Sequence, residues 1–224
     1  MENSMNTQVL VATQAHAFFA EQICNEMESS AKARGTGIAK RSPEYLVKKM
    51  EEGKAVIAVT ANGEWAGFCY IETWNHGKYV ANSGLIVAPA FRKDGLAKRI
   101  KQEIFRLSCE LYPGAKIFGL TTGLAVMKIN SSLGYEPVTY SELTDEDAFW
   151  NGCKSCVNYE ILLSKERKNC LCTAMLFDPQ EKKTGGESPE EKFRRRSKLF
   201  ERWLKFKQHV LLRSKKIKST VSIF

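Results

Sequence analysis

One segment constrains the fold more than any other. An almost unbroken apolar run, Gly84-Leu85-Ile86-Val87, leads through Ala88-Pro89-Ala90-Phe91 into Arg92-Lys93-Asp94-Gly95-Leu96-Ala97. The chain then continues with Leu96, Ile100, Ile104, Leu107 and Leu111 at helical spacing. A buried strand that turns through a glycine into an amphipathic helix requires a sheet with a helix packed on it. The turn also carries chemistry. The first amides of a helix have no intrahelical acceptor and sit at the positive end of the dipole, so a diphosphate can bond several of them at once. Gly95 permits close approach, Ala97 leaves room beside the phosphates, and Arg92 adds a charge-assisted donor. An ordinary strand-to-helix turn could hold the same glycine only to relieve strain; the flanking strand and helix favour anion binding.

The rest of the chain fits a mixed α/β sheet. Behind an irregular start, Thr13 caps a helix to about Lys32 with Phe19, Ile23 and Met27 a turn apart, and Gly35-Thr36-Gly37 ends it. Ser42-Pro43 opens a short helix that stops at Gly53. Lys54–Thr60 and Glu64–Glu72 flank Asn62-Gly63 as a hairpin, followed by a strand at Tyr79–Val87. Pro113-Gly114 terminates the helix that begins at Gly95. A strand at Lys116–Thr121, a helix at Ala125–Leu133 and strands at Tyr135–Tyr140 and Cys156–Leu163 complete the expected body, residues 1–177. Residues 178–189, DPQEKKTGGESP, read as a flexible linker, and Ser188-Pro189-Glu190-Glu191 reads as a capping box opening a basic amphipathic helical tail over 190–224.

Charge separates these parts. The chain of 224 residues has a net charge of +9, and residues 190–218 alone carry 12 Lys/Arg against 3 Asp/Glu, so the body is balanced. The body therefore gives no electrostatic reason to expect nucleic acid. No apolar run reaches the roughly 18 residues of a membrane span, and no signal-peptide pattern opens the chain, so a cytoplasmic location is expected.

From the loop onward the sequence resembles the GNAT acyltransferase superfamily, whose signature is Arg or Gln, two residues, Gly, one residue, then Gly or Ala. Leu133-Gly134-Tyr135 resembles the Leu-Gly-Phe/Tyr that closes the family's later strand and helix. Within the superfamily, residues from about Gly37 to Leu143 are most similar to the acyltransferase domain of N-acetylglutamate synthases. Ile38-Ala39-Lys40-Arg41-Ser42, Leu120-Thr121-Thr122 and Leu133-Gly134-Tyr135-Glu136-Pro137-Val138 carry that likeness, without the kinase-like regulatory domain of many such synthases.

The resemblance implies a GNAT fold in which two parallel strands splay around an acyl-coenzyme A, acetyl-CoA or another. Leu85, Ile86 and Val87 would bond the pantetheine arm, and Arg92, Lys93, Asp94, Gly95, Leu96, Ala97 and Lys98 would hold the pyrophosphate. It also implies transfer to the amine of a small amino acid, with glutamate preferred, as in arginine biosynthesis, and a possible homo-oligomer. Lys40 and Arg41 are the candidate carboxylate anchors; as residues alone they also fit a solvated basic pair before a helix. Where the family has an arginine after two threonines, this chain has Gly123. Where many synthases carry a strand glutamate it has Ala81, so Glu72, with His76 behind it, is the candidate general base. The family's leaving-group tyrosine is Asn130 here, whose amide could hydrogen-bond the coenzyme sulfur or pantetheine.

Seven cysteines, at 24, 69, 109, 153, 156, 170 and 172, favour reduced thiols over a disulfide framework. Cys153-x-x-Cys156 and Cys170-x-Cys172 stand thirteen residues apart, a spacing compatible with a structural zinc site, although packed small residues fit as well, and acyl transfer itself requires no metal. The tail interleaves Phe193, Phe200, Trp203 and Leu204 with its charges. Docking on its own domain or a dimer mate is favoured over membrane or nucleic acid contact; the alternative is a non-catalytic CoA-sensing or nucleic-acid-binding module acting through the tail.

Overall fold

The structure is a computed structural model that describes residues 7–35 and 40–180. Strand β1 (Thr7–Val11) runs antiparallel to β2 (Ala55–Thr60), its Thr7 opposite Thr60. Between them lie a 3-10 turn at Gln14–Phe19 and two helices, α1 (Ala20–Arg34) and α2 (Pro43–Glu51). Thr13 opens the 3-10 turn rather than an α-helix, and Gly35 in the left-handed region closes α1. Ser42 caps α2, its side chain accepting from the Tyr45 amide, with Pro43 at the first helical position.

The Asn62-Gly63 turn joins β2 to β3 (Trp65–Trp74), which pairs antiparallel with β4 (Tyr79–Val87). Helix α3 (Leu96–Leu111) leads to β5 (Lys116–Thr121), then α4 (Leu124–Ser132) and β6 (Glu136–Val138). Short helices α5 (Asp147–Asn151) and α6 (Tyr159–Ser164) precede β7 (Thr173–Phe177). The seven strands lie in the order β1-β2-β3-β4-β5-β7-β6, and β4 with β5 is the parallel pair.

Four sequence expectations change. The start of the described residues contributes β1, and the last strand among them is β7. Cys156–Leu163 is a turn and α6 rather than a strand: Ile161-Leu162-Leu163 is an apolar run too short to distinguish the two by period, and only Leu162 of it is buried. Asp178, placed in the linker, is held against β5 by an ion pair with Lys116 at 2.8 Å. The remaining linker and the tail lie outside the described residues.

Side-chain alternation divides the sheet's faces. Glu72 and its register partner Ala81 share one face with α1 and α2, while Asn82 turns to α3 and donates to Ser108 Oγ at 2.8 Å. On that second face α3 buries Leu96, Ile100, Ile104 and Leu107, each worth about 1.5–3 kcal/mol. The far end of the sheet has its own core, where Phe118, Tyr140, Trp150, Leu162 and Leu176 cluster.

Candidate active site

Strands β4 and β5 are in register only from Tyr79↔Lys116 to Ala81↔Phe118. Beyond that they part, and β4 continues from Asn82 to Val87 with its β5-side edge lacking a partner strand. Leu85, Ile86 and Val87 lie on this stretch. Part of the cause is a bulge: the β3 register shifts between Phe68↔Ile86 and Tyr70↔Ser83, which leaves an extra β4 residue beside Gly84. Gly84 sits at φ +66°, and a Cβ there would stand 2.3 Å from Tyr70 Cε1, so only glycine fits.

At the end of β4 the loop reaches the N-terminus of α3. Lys93 at φ 75° and Gly95 at φ 77° are both left-handed, an alternation that cups the loop's amides toward one side. Gly95 is the N-cap, and nothing lies within 4 Å of where its Cβ would be, so the space above it is open. Leu96 and Ala97 present first-turn amides with no intrahelical acceptor. The amide of Lys98 is already turned back to Gly95 O at 3.0 Å, so its expected part in the anion site falls to the amides before it. The Arg92 side chain also differs from expectation. Its Nε donates to Val87 O at 3.0 Å, and Nη2 reaches Glu26 Oε1 at 2.6 Å and Ser30 Oγ at 2.7 Å. Its guanidinium thus ties the loop to α1 instead of facing the amide cup, because a carboxylate on α1 stands within reach.

Asn130 on α4 is almost wholly buried, with Nδ2 3.9 Å from the Cβ position of Gly119, the first β5 residue past the parting of the strands. Its Oδ1 has no partner. An orphaned buried oxygen at the mouth of the split suits a ligand amide, and with the open β4 edge and the amide cup it makes the residues present fit an acyl-coenzyme A.

On the α1/α2 face, Glu72 gathers a polar cluster. Its Oε1 accepts from Arg41 Nη2 at 3.1 Å and Tyr45 OH at 2.5 Å, and its Oε2 accepts from Ser83 Oγ at 2.9 Å. Burial opposes the Arg41 charge, but Tyr70, Glu72 and Tyr45 outweigh it and raise its pKa. Burial, followed by the Glu72 hydrogen bond and charge, pushes the Tyr45 hydroxyl well above its ordinary range, so it stays a proton donor. Arg41 Nε is buried and unpartnered. Lys40 does not join: its ammonium pairs with Glu28 at 2.9 Å on the surface, and its backbone amide donates to Ser155 Oγ. Nor does His76, which lies in the turn after β3 and lines a surface depression with Lys78, Pro113 and Asp178. Tyr45 and Ser83 were missed from sequence. For Tyr45 a signal existed, since the Ser42-Pro43 cap fixes it one turn from Arg41.

A mixed sheet that parts between two parallel strands, beside a helix opened by glycine, is a GNAT-like architecture. Residues 24–122 match the model of the Acetyltransferase (GNAT) family, and the described residues have a GNAT-like mixed α/β fold. Solved structures with this fold include N-acetylglutamate synthase from Neisseria gonorrhoeae complexed with coenzyme A and N-acetyl-glutamate, 16% identical, TM-score 0.55, covering 77% of this chain and 35% of that one. The phosphinothricin acetyltransferase of Sinorhizobium meliloti in complex with acetyl-CoA is 14% identical, TM-score 0.52, covering 78% and 89%. The Salmonella typhimurium protein yncA with its cofactor acetyl-CoA is 14% identical, TM-score 0.52, covering 82% and 98%. The chain thus spans about a third of the length of the gonococcal synthase. Comparison with curated proteins gives no match. Among the described residues no helix is long and apolar enough to cross a membrane.

Proposed function

We propose that the chain transfers an acetyl or succinyl group from its coenzyme A thioester to the amine of a small amino acid, glutamate preferred, a reaction that would serve arginine biosynthesis. The observation that carries this reading is Arg41 Nε, a buried guanidinium N–H with no acceptor, beside the Glu72 carboxylate. A buried unpaired donor costs about 1–3 kcal/mol, and a substrate carboxylate would recover it with a charge-assisted bond. The gonococcal synthase, complexed with N-acetyl-glutamate, lends support to an acidic acceptor.

In this reading the thioester, held by the loop amides of residues 93–97, the β4 edge at 85–87 and Asn130, supplies an activated acyl carbonyl. Arg41 orients the acceptor by its carboxylate. Ser83 Oγ, which already donates to Glu72, accepts a proton from the acceptor's ammonium and passes its own to the carboxylate, leaving a neutral amine. Glu72 is the final base. Tyr45, held protonated, keeps the carboxylate pointed at Ser83.

Thiol release with acetyl-CoA and succinyl-CoA, measured across the amino acids, tests the proposal. Glutamate is expected to give the highest kcat/KM, and Arg41→Gln to raise its KM about tenfold or more with coenzyme affinity unchanged. No thiol release with any amine, while the coenzyme binds, would remove the support for this reading.

A further inference from the structure

Four cysteines from two separate segments meet at the far end of the sheet. Cys153, Cys156, Cys170 and Cys172 line a single cavity of about 20 Å³ with Tyr140 and Trp150, room for one water-sized occupant. Coenzyme binding and acyl transfer use none of them. The second pair is separated by a single residue, and both of its side chains line the cavity. The first pair sits on a tight turn in which the Cys156 amide donates to Cys153 O at 2.9 Å. Two residues on, the Asn158 amide donates to Cys156 Sγ at 3.4 Å, while Cys170 Sγ donates to Asn158 O at 3.7 Å, so both segments meet at one residue. An amide aimed at sulfur is the contact that a metal-bound cysteine sulfur accepts.

We propose that these four cysteines bind one zinc ion as a closed, four-thiolate structural site. Two short Cys pairs separated by thirteen residues supply four soft ligands, the set that selects zinc among the divalent ions of the cell. As the thiols stand, no three described His, Cys, Asp or Glu side chains form a ready-made ligand set. Closing the set on the cavity that the four cysteines line requires rotation about their χ1 bonds. Ligation replaces four S–H bonds by four Zn–S bonds and releases four protons, leaving a net charge of −2 on the site. The positive neighbour is Arg41, whose charge reaches Cys153 and whose Nη2 lies 3.8 Å from the Cβ position of Gly152. The ion would therefore fix the turn at Gly152–Ser155 that borders the acceptor face.

The full chain, purified with zinc sulfate present and then freed of loosely held metal, is expected to retain about one zinc by elemental analysis. Cobalt(II) in its place is expected to give the intense ligand-field bands of tetrahedral cobalt thiolate. Cys156→Ser should weaken retention by more than about tenfold, whereas Cys156→His, which keeps a ligand, and Cys24→Ser, away from the cluster, should retain the ion. Metal content is read without reference to acyl transfer, so failure here is separable from failure of the proposed activity. A folded chain that holds no zinc, or one whose mass falls by two hydrogen atoms on air oxidation as a disulfide forms between the segments, overturns the proposal.

Discussion

Arg41 Nη2 stands 3.1 Å from Glu72 Oε1, a pair that joins the segment leading into α2 to the end of β3 on the face away from α3. Both side chains are largely buried, so each is the main compensation for the other's desolvation. Glu72→Gln keeps the shape and the Tyr45 and Ser83 neighbours but removes the proton acceptor. Turnover is expected to fall about 100-fold, with coenzyme affinity by calorimetry unchanged. Unaltered turnover in the folded variant would reduce Glu72 to a strut for Arg41.

Gly95→Val tests the amide cup. The position is at φ 77° with open space where a side chain would stand, so valine meets strain from the backbone and, once a phosphate approaches, from crowding. Calorimetric affinity for coenzyme A should drop more than tenfold while unfolding free energy changes by only about 1–2 kcal/mol. Arg92→Ala should have the opposite balance, because its guanidinium is spent on Val87, Glu26 and Ser30: it loosens the loop from α1 and weakens coenzyme binding less than Gly95→Val. Equal coenzyme affinity of wild type and folded Gly95→Val would move the pyrophosphate elsewhere.

The features legible in the sequence were those written locally. Asn62-Gly63, Ser42-Pro43 and the apolar spacing of α3 each declare their element within a few residues, and the glycine loop declares itself by what precedes and follows it. Arg41 and Glu72 were named, but that they pair was not readable, since 31 positions separate them and the sheet brings them together. The same holds for Arg92, whose residue type suits phosphate but whose partner on α1 is 66 positions away. Lys40 and Arg41 have nearly the same chemistry; one turns outward to Glu28 and the other inward, a difference of side-chain direction that no pattern records. β1 and β7 are of five residues each, too short for a clear period, and the apolar 161–163 run drew the strand assignment that belonged to β7.

Gly84→Ala probes the bulge that opens the sheet. The added Cβ would lie 2.3 Å from Tyr70 Cε1 and 2.8 Å from Met27 Cε, at a φ of +66° that alanine resists. Overpacking and backbone strain together should cost about 3 kcal/mol, read as a lowered urea midpoint. Tyr70 forms an edge contact with Tyr45 at 6.0 Å, so its displacement should also raise the acceptor KM. Wild-type stability in this variant would mean that β4 can straighten, and that the bulge is not what parts the strands.

Lys101 offers a test by pH. It is buried on the α3 face, donates to Asn82 Oδ1 at 3.0 Å and lies 5.1 Å from the Tyr135 ring centre, with the Cys69 thiol also near. No carboxylate is among these neighbours, and burial lowers its pKa from 10.5 to about 8, with Cys69 opposing only weakly. The sign follows from linkage. A lysine whose folded pKa lies below its unfolded value binds fewer protons in the folded state between those two values, so stability rises with pH across that window. The full cost, roughly 3 kcal/mol, is present below the folded pKa and disappears above the unfolded one. Lys101→Met removes the buried charge at similar volume, and Asn82 Oδ1 keeps its bond from Tyr135 OH at 3.0 Å. At neutral pH the variant should therefore be more stable by roughly 1–3 kcal/mol in urea unfolding. Because Tyr135 and Cys69 titrate as well, the quantity to follow is the difference between variant and wild type. That difference should shrink as pH rises from about 8 to 10.5. A difference that stays constant across this range would mean that Lys101 keeps its proton in the folded protein, and that the Asn82 and Tyr135 contacts offset its burial.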